Sequence, residues 1–136
     1  MKVLITEDKL QSLFDRIMSE YSNLKKLTRD YDYYDYNKNR YIDYSPLNFY
    51  SGSDDEEWWE LDDWVFQYAQ RPPYGVSVYG FETPLLMYHR GRFKSLLYMF
   101  GDKFDGLLKN WFESTYRLPV KDVVDDYAAE VFVGYS

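Results

Sequence analysis

Leu10, Leu13, Phe14, Ile17, Met18, Tyr21 and Leu24 recur at the i, i+3, i+4, i+7 spacing that lines one face of an α-helix. Thr6 stands where its hydroxyl can cap the first turn. Glu7 and Asp8 fall at the positive end of the helix dipole, and Lys25, Lys26 and Arg29 at the negative end. The spacing predicts a helix over about 7–27 with its apolar stripe packed into a core, after a short extended lead-in at 1–5. From Asp30 to Tyr44 the period changes, and aspartate and tyrosine alternate. Rings at every second position fit a strand with one half-buried face, and Asn37-Lys38-Asn39 offers residues that tolerate the left-handed backbone of a tight turn. This predicts a tyrosine-lined hairpin whose return strand runs from Arg40 to about Tyr44, with an irregular continuation after Pro46.

Ser51-Gly52-Ser53 breaks that element, and Ser53 with Glu56 has the form of a capping box. Trp58, Leu61, Trp64, Val65, Tyr68 and Ala69 then recur at helical spacing as far as Pro72-Pro73, which predicts a helix over about 54–70. A strand is the alternative, since Trp59, Leu61 and Val65 also share a period-two face. Beyond a turn at 72–75, alternation predicts a strand at 75–81. Leu85 to His89 reads as a strand pairing back on it, in competition with a helix begun by Thr83-Pro84. Phe93, Leu96, Leu97 and Phe100 mark a short helix closed by Gly101. Asp102 is placed to cap a further helix carrying Phe104, Leu107, Leu108, Trp111, Phe112 and Tyr116, which Leu118-Pro119 stops. Val120–Val124 and 130–135 have the β-branched and aromatic residues of one or two strands. The expected fold is α+β, with three or four helices on a small, mainly antiparallel sheet, in a single domain over residues 1–136.

Charge changes the picture more than composition does. Residues 30–63 hold eleven carboxylates against Lys38 and Arg40, a net of −9, whereas the whole chain is −7 and its remainder therefore +2. An anionic segment studded with tyrosine and with Trp58 and Trp59 is thus set into a nearly neutral domain. Such a segment repels phosphates and anionic lipid, which argues against direct nucleic-acid or membrane binding and in favour of a basic protein surface as partner. The absence of cysteine excludes a disulfide framework, a thiolate nucleophile and a Cys-type zinc site. No apolar run is long enough for a signal peptide or a membrane span, so the expected location is the cytoplasm.

On the anionic segment, Asp54, Asp55, Glu56, Glu57, Asp62 and Asp63, bordered by Trp59 and Phe66, make the candidate contact face. Individual acidic pairs there are too common to single out for acid-base or two-metal chemistry, and a solvated acidic face explains them. Asp35, Asn37, Asn39 and Asp43 occupy oxygen-ligand places of an EF-hand-like run. However, Arg40 replaces the turn glycine and Pro46 the closing glutamate, so a hairpin turn is the stronger account. Arg90, Arg92 and Lys94, interleaved with Tyr88, His89 and Phe93, form the one basic cluster. It offers a phosphate or partner contact, or an intramolecular or oligomeric counterpart to the acidic stretch. His89 is the only histidine, no Gly-x-Ser-x-Gly elbow accompanies it, and no motif calls for a cofactor.

The opening Lys2-Val3-Leu4-Ile5-Thr6-Glu7-Asp8-Lys9-Leu10, and Phe104 to Phe112 with Leu118-Pro119-Val120-Lys121, resemble segments of small proteins encoded by tailed phages. The resemblance implies a phage product acting in a bacterial host or built into a virion, and it carries over no catalytic residue. The leading expectation is a non-enzymatic acidic interaction protein, an inhibitor of host defence or a nucleic-acid mimic. The runner-up is a self-associating virion or assembly component. A small nucleotide-binding protein or enzyme using 88–94 comes third.

Overall fold

Thr6 does cap the first helix, its hydroxyl accepting from the Lys9 N–H at 3.4 Å in a computed structural model that describes residues 6–28, 31–35, 39–44, 47–51, 64–70 and 81–127. The helix α1, Glu7–Met18, is shorter than the apolar spacing predicts. It tightens into a 3-10 turn at Ser19–Tyr21, and the chain then becomes strand β1, Lys25–Thr28. The reason is local: Ser19 Oγ donates to the Arg16 carbonyl and Ser22 Oγ to the Ser19 carbonyl, which is how serine competes with a continuing helical ladder. The backbone of 25–28 is satisfied instead by antiparallel pairing with strand β4, Leu47–Tyr50.

Between them lies the predicted hairpin, β2 (Tyr31–Asp35) paired antiparallel with β3 (Arg40–Tyr44), with Asn39 in the left-handed region at φ 52°. The second correction concerns 54–70. Its described part, Trp64–Ala69, is strand β5 and not helix, pairing with β4 on one side and with β6 (Leu85–Tyr88) on the other. Trp64-Val65-Phe66-Gln67-Tyr68-Ala69 is apolar on both sides of the backbone, as a central strand requires and an amphipathic helix does not. The register shift between Phe49 and Tyr50 leaves Val65 as an extra residue opposite β4, a bulge that mimics helical spacing in the sequence. The expected strand at 85–89 is present as β6. The stretch expected to pair with it, 75–81, lies outside the described residues except for Phe81.

After β6 come a 3-10 turn at Arg90–Arg92, helix α2 (Lys94–Phe100) and helix α3 (Phe104–Tyr116). Gly101, at φ 56° and ψ −131°, ends α2 in a conformation only glycine adopts without strain. Asp102 does not cap α3, contrary to expectation. A 3-10 turn, Gly101–Lys103, runs directly into the helix, and its N-cap Lys103 makes no side-chain capping bond. Arg117 stops α3 in the left-handed region at φ 58°, ahead of Leu118-Pro119. Strand β7, Asp122–Asp125, then joins β6 in parallel. Among the described residues the result is α+β: a mixed five-stranded sheet in the order β1-β4-β5-β6-β7, the β2-β3 hairpin, two long helices and the short α2, a smaller helical complement than the sequence predicts.

One face of the sheet, bearing Phe49, Phe66, Tyr68, Leu86 and Tyr88, is packed with Phe14 and Met18 of α1 and Phe104, Leu108, Trp111 and Phe112 of α3. Several ring pairs meet edge to face, as in Phe49 with Phe112 at 5.2 Å and Phe14 with Phe100 at 5.2 Å, an arrangement favoured by the aromatic quadrupole, while Phe66 with Phe93 and Tyr68 with Phe112 are stacked. Tyr50, Trp64, Ala69, Leu85 and Val124 are also buried, in two smaller clusters with Leu27 and Met87. The consequence for function is positional: β6 and β7 run side by side in one direction and end together.

Candidate functional site

Where two parallel strands end side by side, the next residues of each are brought into contact, and open sheets place their polar groups at such ends. The register pairs Tyr88 with Asp125, so His89 and Asp126 emerge as neighbours. The His89 N–H is held by the Val65 carbonyl at 3.0 Å, which fixes where β6 stops. The Arg90 N–H donates to Asp126 Oδ1 at 2.8 Å, and Arg90 Nη1 lies 3.4 Å from Asp125 Oδ2. The Arg90 guanidinium also lies 5.8 Å from the Tyr127 ring centre. His89 Nδ1 is 4.0 Å from Asp126 Oδ2, with its ring 5.2 Å from that of Trp64. Arg92 turns the other way, donating from Nε to the Trp64 carbonyl at 3.1 Å and from Nη1 to Ser51 Oγ at 3.3 Å. A side chain at Gly91 would put its Cβ 3.1 Å from His89 Cε1, a contact to which the imidazole would have to yield by a few tenths of an ångström.

A second group of charges meets the cluster from α3. Asp105 accepts a hydrogen bond from the Tyr88 hydroxyl. Burial pushes the Tyr88 phenol far above the ordinary tyrosine range, helped by the Asp105 and Asp125 charges and opposed by Arg90. Partial burial also raises the Asp105 carboxyl; the Tyr88 hydrogen bond pulls it down, and the Asp125 charge adds to the rise. Asp105 is exposed as a residue, so only its bonded carboxyl end feels this environment. The arrangement pins the two strand ends together through the Arg90 contacts to Asp125 and Asp126.

The basic cluster predicted at 90–94 is therefore tied into its own domain. Arg90 and Arg92 bind Asp125, Asp126, Ser51 and the Trp64 carbonyl, while Lys94 opens α2 and is exposed. Asp54, Asp55, Glu56, Glu57, Trp59, Asp62 and Asp63 lie outside the described residues. Phe66 does not belong with them: it is fully buried between Phe93, Trp111 and Phe112, and no partner can reach it. Its assignment to a surface flank followed from the helical reading of 54–70, which the strand overturns. Of the calcium-like run, Asn37 lies outside the described residues. Asp35 and Asp43 fall on opposite strands of the hairpin, level with Arg40 and Asp32, and Asn39 makes the turn. Among the described residues, no three His, Cys, Asp or Glu are grouped to hold a metal ion.

Sequence reasoning passed over Asp105, Asp125, Asp126 and Ser51. The available signal was Asp125-Asp126 directly after the Val123-Val124 pair, the carboxyl end of a short apolar strand. Elsewhere, α2 exposes Tyr98 at 94% and Met99 at 59% beside Lys94 and Ser95. A cleft of about 350 Å³ separates the starts of α1 and α3, lined by Glu7, Leu10, Gln11, Asp102, Lys103 and Asn110. Gln11 spans its floor, bonded to Asp15, the Leu107 carbonyl and Asn110. No helix among the described residues is long and apolar enough to cross a membrane. Compared with known proteins, the chain matches no family model, no curated protein and no solved structure.

Proposed function

We propose that this is a non-enzymatic acidic interaction protein, phage-encoded, that engages a basic surface of a bacterial host protein through the segment 30–63. The observation that carries the reading is the net −9 of that segment in a chain that is otherwise +2. Local pairing elsewhere supports it, since Arg90 is paired with Asp125 and Lys121 with Glu82 inside the C-terminal half. A concentrated negative field raises encounter rates with a cationic face and disfavours nucleic acid as the direct ligand. The partner is then a protein whose own site receives DNA, RNA or another polyanion. In this reading the encounter takes place in the host cytoplasm, as the resemblance to small phage proteins implies.

The test is capture from bacterial lysate across a salt series, with wild type against D54N/D55N/E56Q/E57Q, followed by association kinetics on the captured protein. The reading expects a basic partner whose association slows about tenfold in the variant and loses its salt dependence. A partner that associates equally fast with both chains overturns it.

A second reading, a component of a particle, is favoured by the exposed Tyr98 and Met99 on α2. Bare rings of this kind are covered in assemblies built by repeated contact. It expects concentration-dependent self-association that Tyr98→Ala abolishes, and a monodisperse monomer at millimolar concentration removes it.

A further inference from the structure

We propose that one face of the β2–β3 ribbon is a docking site for arginine on the basic partner; this rests on the acidic-interaction reading and assigns it a place within the segment 30–63. The two ladders that the first half of the chain builds share one register. Thr28 lies opposite Leu47 in the β1–β4 ladder, and Tyr31 lies opposite Tyr44 in the β2–β3 ladder. Strand β5 pairs along β4, whereas among the described strands β2 and β3 pair only with each other. The five pairs from Tyr31↔Tyr44 to Asp35↔Arg40 therefore continue the ladder beyond the third strand as a two-stranded arm, about 17 Å long at about 3.4 Å per residue.

Strand alternation sorts the arm's residues between two faces of different character. One face sets Asp35 opposite Arg40 and so carries its own cation. The other holds Asp32 opposite Asp43 and, two places along, Tyr34 opposite Tyr41, with no basic residue among the four. Residues directly opposite in an antiparallel pair sit about 5 Å apart at Cβ, so two like charges there oppose the pairing that holds the ribbon. A cation from outside relieves that repulsion, and two tyrosines at the adjacent register position favour one that stacks on rings. Guanidinium meets both demands. Its planar fork can bond two carboxylates at once, it is weakly hydrated, and it stacks on aromatic faces, whereas the ammonium of lysine is a strongly hydrated point charge. The occupant that fits by charge and shape is therefore an arginine on a basic protein surface.

The probes are nona-arginine and nona-lysine peptides, equal in charge, titrated into the full chain by calorimetry at about 0.15 M salt. Wild type should bind nona-arginine about fivefold more tightly than nona-lysine. D32N/D43N should weaken nona-arginine binding about tenfold, whereas D54N/D55N, which removes the same charge elsewhere in the segment, should weaken it by less than about threefold. Tyr34→Leu with Tyr41→Leu leaves the charge unchanged and should cost several-fold, while Tyr31→Leu on the other face should cost nothing. Amide NMR signals of β5 and β6 show in each variant that the sheet persists. Equal affinity for the two peptides, or equal losses in the two charge variants, overturns the arginine site and leaves the acidic-interaction reading standing. Failure of wild type to bind either peptide overturns both.

Discussion

Phe66 and His89 belong to the same sheet, one in the middle of β5 and the other just past β6, and they are held by different physics. Phe66 is surrounded by the rings of Phe49, Phe93, Trp111 and Phe112, none of which titrates. His89 lies beside Asp126, whose carboxylate also accepts from the Arg90 N–H, and Arg90 in turn pairs with Asp125, so these contacts are between charged and polar groups. Area buried is indifferent to pH and tolerant of small shifts, whereas a carboxylate opposite a guanidinium is neither. The core therefore carries most of the stability through buried area, and the strand ends are joined through charge.

The largest effect should come from breaking the core side of the comparison. Phe66→Ala removes a fully buried ring from the centre of the sheet and should cost about 3–5 kcal/mol in urea denaturation. Tyr98→Ala removes a ring of similar size that is 94% exposed and should stay within about 0.5 kcal/mol. Similar costs for the two would mean that the sheet face is not the core.

That contrast also marks how far the sequence could be read. Where one side of an element is polar, as in α1 and α3, helical spacing was visible, and in α1 it marked the start of the helix but ran on past its end at Met18. The tyrosine-aspartate alternation likewise indicated the hairpin, down to the turn at Asn39. Where both sides are buried, as in β5, the period vanished, and the bulge at Val65 supplied a false helical one. Phe66 was placed on a surface for that reason. The Lys25–Thr28 strand was hidden because two lysines beside an apolar stripe look like a helix end, and only the pairing with β4 distinguishes them. The strand-end cluster was half legible. Arg90 and Arg92 stood out in the sequence, but their partners are set by the parallel pairing of segments 37 residues apart, which no local pattern encodes.

An intermediate effect sharpens the boundary between the two regions, because Tyr116 belongs to the core and still titrates. Its ring packs on Phe49 at 4.7 Å, its hydroxyl donates to the Tyr21 carbonyl at 3.0 Å, and burial raises its pKa to about 12. With the folded value above the unfolded one near 10, the stability tied to the neutral phenol is intact below pH 10 and is lost as pH rises toward 12. Tyr116→Phe should cost about 1 kcal/mol at pH 7, the value of one hydrogen bond, and lessen the fall in stability between pH 10 and 12. Ultraviolet titration of tyrosinate alongside urea denaturation checks both.

The smallest expected effect lies at the strand ends and has the opposite sign. Burial raises the Asp105 carboxyl more than its bond to the Tyr88 hydroxyl lowers it, so the folded state holds the Asp105 proton more tightly than the unfolded chain. A carboxyl raised in this way favours folding below its unfolded value, about 3.9, and that advantage is lost as pH rises through the folded value. At neutral pH the ionised group is then a net cost, kept small by solvent reaching an exposed residue. Asp105→Asn keeps an acceptor for Tyr88 and removes the charge that faces Asp125. It should raise stability at pH 7 by less than about 1 kcal/mol while flattening the dependence on pH above 4. Urea denaturation at pH 4 and pH 7 measures the difference. A variant less stable at pH 7 than wild type would mean that the charged hydrogen bond from Tyr88 outweighs burial, and that the strand ends depend on Asp105 for order.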